Sequence, residues 1–184
     1  MVAAAVVIAA REAGKGERPM SEATKVVRAQ RIELVDEKGK TRAGLGLLAD
    51  GSAALMLCDE KGLPRAALTV LPDGNPNLAL YDEKGNPRVG LSLAADGNPA
   101  LWLYDEKGGG RAALLLRAGG TPSLWLCDEK GNLAAALKVL PDGSPGLMLC
   151  DKNDKIRAGL GLLADGTPAL WFRDEKGEVI WRAP

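Results

Sequence analysis

Adjacent carboxylates recur along this sequence at Asp59-Glu60, Asp82-Glu83 and Asp105-Glu106. Side by side, two carboxylates can do general acid–base work or hold calcium. Asp151-Lys-Asn-Asp154 has the opening of a calcium loop, but an EF-hand loop needs an oxygen ligand where Lys155 stands and a glycine after it. A second set is aromatic and soft: Met56, Trp102, Trp125, Met148 and Trp171 share one column, with Tyr104 beside it. Trp102, Tyr104, Trp125 and Trp171 form a candidate binding stripe on which a sugar ring could stack. Arg42, Arg65, Arg88, Arg111 and Arg157 form a third column, suited to phosphate or sulfate groups. Each set also has a plainer reading. Six copies of a catalytic pair make no mechanistic sense, whereas seven copies of a turn do. Large rings fill gaps over Gly and Ala on a sheet, and arginines bracketed by Asp and Glu neutralise themselves.

The sequence contains no histidine, which removes the commonest general base and the commonest metal ligand. Cys58, Cys127 and Cys150 form no CxxC pair, and three cysteines cannot close a disulfide framework. They share a column with Tyr81, Tyr104 and Arg173, which marks a half-buried filler position rather than a thiol site. No glycine-rich loop follows a strand and opens a helix, so nucleotide binding has no support. The expectation is no catalytic residue, no metal and no cofactor. Lys plus Arg equals Asp plus Glu, so no global field draws in nucleic acid.

What must position these columns is a repeat. Asp36, Asp59, Asp82, Asp105, Asp128, Asp151 and Asp174 stand 23 residues apart, mostly inside Asp-Glu-Lys-Gly. Gly51, Gly74, Gly97, Gly120, Gly143 and Gly166 keep the same interval. So do Leu45, Leu68, Leu91, Leu114, Leu137 and Leu160, and the column from Leu55 through Leu78, Leu101, Leu124 and Leu147 to Leu170. A period of this length without insertions means units that each contact their neighbours in one fixed way. The sequence divides into residues 1–20, an apolar segment and polar linker, and a β-repeat domain over 21–184, with units starting near 42, 65, 88, 111, 134 and 157.

Each unit holds two alternating runs, such as Arg88–Leu93 and Pro99–Tyr104, bounded by Gly, Pro and Asp. Alternation over about six residues predicts strands, not helix. The Ala-Asp-Gly or Pro-Asp-Gly link predicts a three-residue hairpin loop, with Pro at its first position and Gly left-handed at its third. The Asp-Glu-Lys-Gly link predicts a four-residue loop between Asp105 and Gly110. Together these registers set Leu91 opposite Leu101 and Leu101 opposite Leu114. They set Trp102 opposite Gly90 and Ala113, and Tyr104 opposite Arg88 and Arg111, where a cation–π contact is expected. The prediction is an all-β meander of about 13 strands, from a leading strand near Arg28–Val35 to a closing one at Ile180-Trp181. Leucines occupy one face and must be covered, each being worth about 1.5–3 kcal/mol when buried. A flattened sandwich, a trimeric β-prism fibre and a two-strand-per-coil parallel solenoid all cover them. Good hairpin turns favour the meander, and the unbroken period favours the trimer.

The units RAGLGLLADGSAALMLCDEKG and RVGLSLAADGNPALWLYDEKG resemble repeats of a group of exported bacterial proteins. Those carry a hydrophobic N-terminal helix, a lead-in like VVRAQRIELVDEKG and an ending like GEVIWRAP. The likeness covers roughly Val26 to Pro184; it implies export and surface attachment, and implies no activity. Hairpin-per-repeat construction is also similar to MORN and YD repeats, though the GxYxG signature of MORN is absent. Val2–Ala10 is too short to span a membrane, which takes about 20 residues. It reads either as part of a signal or membrane helix begun upstream, or as a short tail. The functional expectation is an exported structural or adhesive protein of a cell surface or fibre, self-associating, with a homotrimer favoured. Membrane attachment would run through the N-terminal segment. The alternative is a carbohydrate- or surface-binding module using the Trp stripe.

Overall fold

A computed structural model describes residues 28–94 and 96–183. The apolar segment and linker at 1–20, and their boundary with the repeat domain, lie outside the described residues. Fourteen strands follow one another: β1 (Arg31–Val35), β2 (Thr41–Leu47), β3 (Ala53–Cys58), β4 (Pro64–Val70), β5 (Pro76–Tyr81), β6 (Pro87–Leu93) and β7 (Pro99–Tyr104). Then come β8 (Gly110–Leu116), β9 (Pro122–Cys127), β10 (Leu133–Val139), β11 (Pro145–Cys150), β12 (Ile156–Leu162), β13 (Pro168–Arg173) and β14 (Val179–Ala183). They form one antiparallel sheet in strict chain order. The meander therefore stands and the parallel solenoid falls. There are fourteen strands rather than about 13: two in each of the six units, plus the leading and closing strands. Each strand touches only its sequence neighbours, so the described chain does not fold back into a sandwich.

The turns explain the regularity. At the Asp-Gly links the Gly97 N–H donates to the Ala94 carbonyl at 2.8 Å, and Ala94 N–H donates to the Asn98 carbonyl at 2.9 Å. Gly97 has φ 80°, which L residues other than Asn and Asp avoid. This is the three-residue loop the sequence predicts.

The Asp-Glu-Lys-Gly links differ from expectation. Gly108 N–H donates to the Asp105 carbonyl, and Asp105 N–H donates to the Gly109 carbonyl. The loop is thus again three residues, Glu106 to Gly108. The fourth residue reappears as a β-bulge: Leu103 pairs with Ala112 and Tyr104 with Gly110, leaving Arg111 extra. Tyr104 consequently lies opposite Gly110, not Arg111. A three-residue loop plus a one-residue bulge advances the chain as far as a four-residue loop, so the leucine register is as predicted. The bulge recurs at Arg42, Arg65, Arg88, Ala134, Arg157 and Ile180. Since Ala134 and Ile180 bulge as the arginines do, link length sets the bulge and the side chain only exploits it.

Candidate functional site

Two faces and one rim carry the candidate residues. On the first face the pairing brings every core leucine into line. Leu45, Leu55, Leu68, Leu78, Leu91 and Leu101 lie opposite one another in succession. Leu114, Leu124, Leu137, Leu147, Leu160 and Leu170 continue the line. Twelve adjacent strands thus present an unbroken leucine ladder. On one side of it runs a row alternating Ala or Val with Leu, as at Ala66, Leu80, Val89, Leu103 and Ala112. On the other, Leu and Val alternate with Pro, as at Leu93, Pro99, Leu116 and Pro122. Nothing in the described chain covers this face: Leu101 is 37% exposed and Leu114 55%. A hollow of about 420 Å³ bounded by Leu68, Leu78 and Leu91 shows its relief.

The opposite face is the better packed, although one of its columns is only Gly and Ala. Gly44, Ala67, Gly90, Ala113, Ala136 and Gly159 form one buried column. Met56, Trp102, Trp125, Met148 and Trp171 stand between them. Ala113 lies between Trp102 and Trp125 and is only 2% exposed. The rings lie down because there is room: a Cβ on Gly110 would come 3.0 Å from the Trp102 ring, and one on Gly159 would overlap the Trp171 ring. Trp102 and Tyr104 stack with centroids 6.3 Å apart, and Trp102 meets Trp125 edge-on at 6.5 Å. The structure therefore brings Trp102, Tyr104 and Trp125 together, while Trp171 stands apart under Arg173, whose guanidinium is 4.7 Å from the ring centroid. Arg117 covers Trp125 at 5.3 Å. The cation–π contact expected at Tyr104 is replaced by a hydrogen bond: Arg88 Nε donates to the Tyr104 carbonyl at 3.0 Å.

That bond belongs to a rim ladder that sequence reasoning missed. Each bulged arginine points along the sheet edge. Arg42, Arg65 and Arg111 donate through Nε to the carbonyls of Cys58, Tyr81 and Cys127 on the following strand, at 3.2–3.4 Å. Arg157 reaches the Asp174 carbonyl through Nη1. Each also faces the aspartate of its own hairpin, as Arg111 faces Asp105 at 3.6 Å and Arg157 faces Asp151 at 2.5 Å. The six-residue offset from Asp to Arg, kept at five of the seven aspartates, was the available signal.

The aspartates themselves are consumed by turns. Asp105 Oδ1 accepts the N–H groups of Lys107 and Gly109, both at 2.9 Å. Those backbone donors, and then Arg111, hold its carboxyl below the ordinary value. Asp36, Asp59, Asp82, Asp128 and Asp151 repeat the pattern. Asp154 sits at φ 59° where other units have Gly, and its Oδ1 accepts the Leu133 N–H of the neighbouring hairpin at 2.6 Å. Among the described residues no three acidic or Cys side chains cluster as a metal site. All three cysteines are free thiols. Cys127 and Cys150 are on β9 and β11 with β10 between them, about 10 Å apart at ordinary strand spacing, beyond disulfide reach. Burial first, then the Asp128 carboxylate, pushes the Cys127 thiol up.

No protein-family model matches the chain, and no curated protein matches it. Among solved structures it is similar to the SAS-4 (dCPAP) TCP domain of Drosophila melanogaster, solved with a proline-rich motif of Ana2. Identity there is 13% over 90% of this chain and 95% of that one, with a TM-score of 0.41. It is similar to the wild-type TCP10 domain of Danio rerio CPAP at 14% identity, covering 84% and 89%, with a TM-score of 0.30. A porin-like protein from Bacteroides uniformis follows at 9%, 80% and 78%, with a TM-score of 0.24.

Proposed function

We propose that this protein is a non-catalytic structural repeat protein that self-associates through its leucine face, exported and held at a cell surface or in an extracellular fibre. The observation that carries the reading is the twelve-leucine ladder, open along its whole length. Monomeric soluble proteins rarely expose contiguous apolar patches beyond a few hundred Å². The face also fits itself. Ridges and gaps alternate every second strand, so a copy offset by one strand lays Leu over Ala in one outer row and Leu or Val over Pro in the other. Sheets pack face to face at about 10 Å. A homotrimer closes three such faces into a prism without leaving any in water. The turn aspartates, the bulged arginines and the cysteines are already engaged in turns, rim contacts and packing, which supports a structural rather than a catalytic role.

Light scattering on the full chain tests this. In the dilute limit a mass of three times the 19.2 kDa chain is expected. A folded monomer at all concentrations would overturn it. A second reading, glycan binding, is favoured by one observation: the near-parallel, half-exposed Trp102–Tyr104 pair. Oligosaccharides that quench Trp fluorescence in the wild type but not in Trp102→Ala would favour it.

A further inference from the structure

The outermost strands of the described sheet, β1 and β14, each have one neighbour and one open edge. An open edge presents unpaired N–H and C=O groups to any strand that fits. Two kinds of strand alternate in this sheet, one preceding an Asp-Glu-Lys-Gly link and one following it. β14 follows such a link at Asp174, and β1 precedes one at Asp36. The strand that belongs beyond β14 is therefore of the β1 kind and antiparallel to it.

The interior registers say which residues would meet. Across the Asp-Gly hairpins Ala43 pairs with Leu57, Gly44 with Met56 and Leu45 with Leu55. The same columns set Trp181 against Leu34, Arg182 against Glu33 and Ala183 against Ile32. Two of these pairs are apolar and continue the leucine face. The third joins opposite charges on the other face. Arg182 stands in the column otherwise held by Gly44, Ala67, Gly90, Ala113, Ala136 and Gly159. Glu33 stands in the column of Met56, Ala79, Trp102, Trp125, Met148 and Trp171. These columns become charged only on the two outer strands, and with opposite signs at facing positions. Charges that merely blocked edge pairing would need no sign relation, and like charges would block better.

We propose that β14 of one copy pairs with β1 of the next, with Arg182 facing Glu33, so that the sheet continues from molecule to molecule. Such a contact is head-to-tail, and with the two open edges on opposite sides of the sheet it repeats from copy to copy into a filament. It uses an edge rather than the leucine face and stands independently of the self-association proposed above.

Sedimentation velocity on the full chain over a concentration series tests it. The wild type is expected to show a sedimentation coefficient that keeps rising with concentration. Arg182→Glu alone and Glu33→Arg alone each lose that rise, because each sets like charges at the junction. An equimolar mixture of the two variants regains it, since each variant's outer strands then meet opposite charges, and the double variant regains it alone. Recovery on mixing also shows that the single variants are folded. No rise in the wild type, a rise indifferent to the substitutions, or no recovery in the mixture and the double variant would each overturn the proposal. Association through the leucine face reads differently, as a species of fixed size unaffected by these charges. Failure of either proposal is thus visible separately.

Discussion

Asp105 shows how a residue that looks chemical is used up by geometry. Its carboxylate takes two backbone donors, while Glu106 beside it is given no such bond. Asp105→Ala should therefore lower the melting temperature, and Glu106→Ala should leave it nearly unchanged, as thermal melts will show. The acid limb follows from the same bonds. Backbone donors, preceded at Asp128 by the Asn132 side chain, hold eleven such aspartates, Asp36 through Asp165, below the ordinary value of 3.8. A carboxyl lowered by folding adds stability that is present above its unfolded value and lost as pH falls through its folded one. Melting temperature should stay level from neutral pH to about 4 and then drop. A drop already complete by pH 5 would contradict this. The turn role of these aspartates was legible from their spacing. The arginine contacts were not, because a column in the sequence does not say that its residue is the extra one in a bulge. Ala134 makes the same bulge with no guanidinium at all.

At the scale of a strand, the alternation of Leu with small residues fixed which residues share a face, and the registers of Leu91, Leu101 and Trp102 could be worked out from turn chemistry alone. Which face is the better buried could not. Hydrophobicity marks the leucines as core, yet Ala113 at 2% exposed is far more enclosed than Leu101. Enclosure here depends on the neighbours' size: indoles lie over the small residues, whereas each leucine stands among equals. The two faces should respond differently to a charge. Ala113→Asp places a carboxylate between Trp102 and Trp125 and should cost about 3 kcal/mol or more, enough to unfold a marginal array. Leu101→Asp should leave the single sheet folded and reduce the particle to one chain. Ser92→Asp, on the half-buried second face, should be tolerated better than Ala113→Asp. Circular dichroism with light scattering separates these outcomes. If Leu101→Asp unfolds the protein and Ala113→Asp does not, the assignment of faces is wrong.

The described chain is a ribbon one sheet thick, in which no strand meets any but its sequence neighbours. Thirteen strand spacings of about 4.8 Å make it roughly 60 Å across. The chain enters at one side of that ribbon and leaves at the other, so tension on its ends acts at right angles to the strands. Hydrogen bonds set this way are loaded one after another, like the teeth of a zip, and no distant contact shares the strain. Under an optical trap the protein should lengthen in a train of small, similar steps. Freeing one unit releases 23 residues, which at about 3.3–3.6 Å each add roughly 70 Å once the lost sheet width is subtracted. A single all-or-none rupture would show that the units do not yield separately. Reversible yielding of this kind lets a tether pay out length under load and wind itself back when the load is removed.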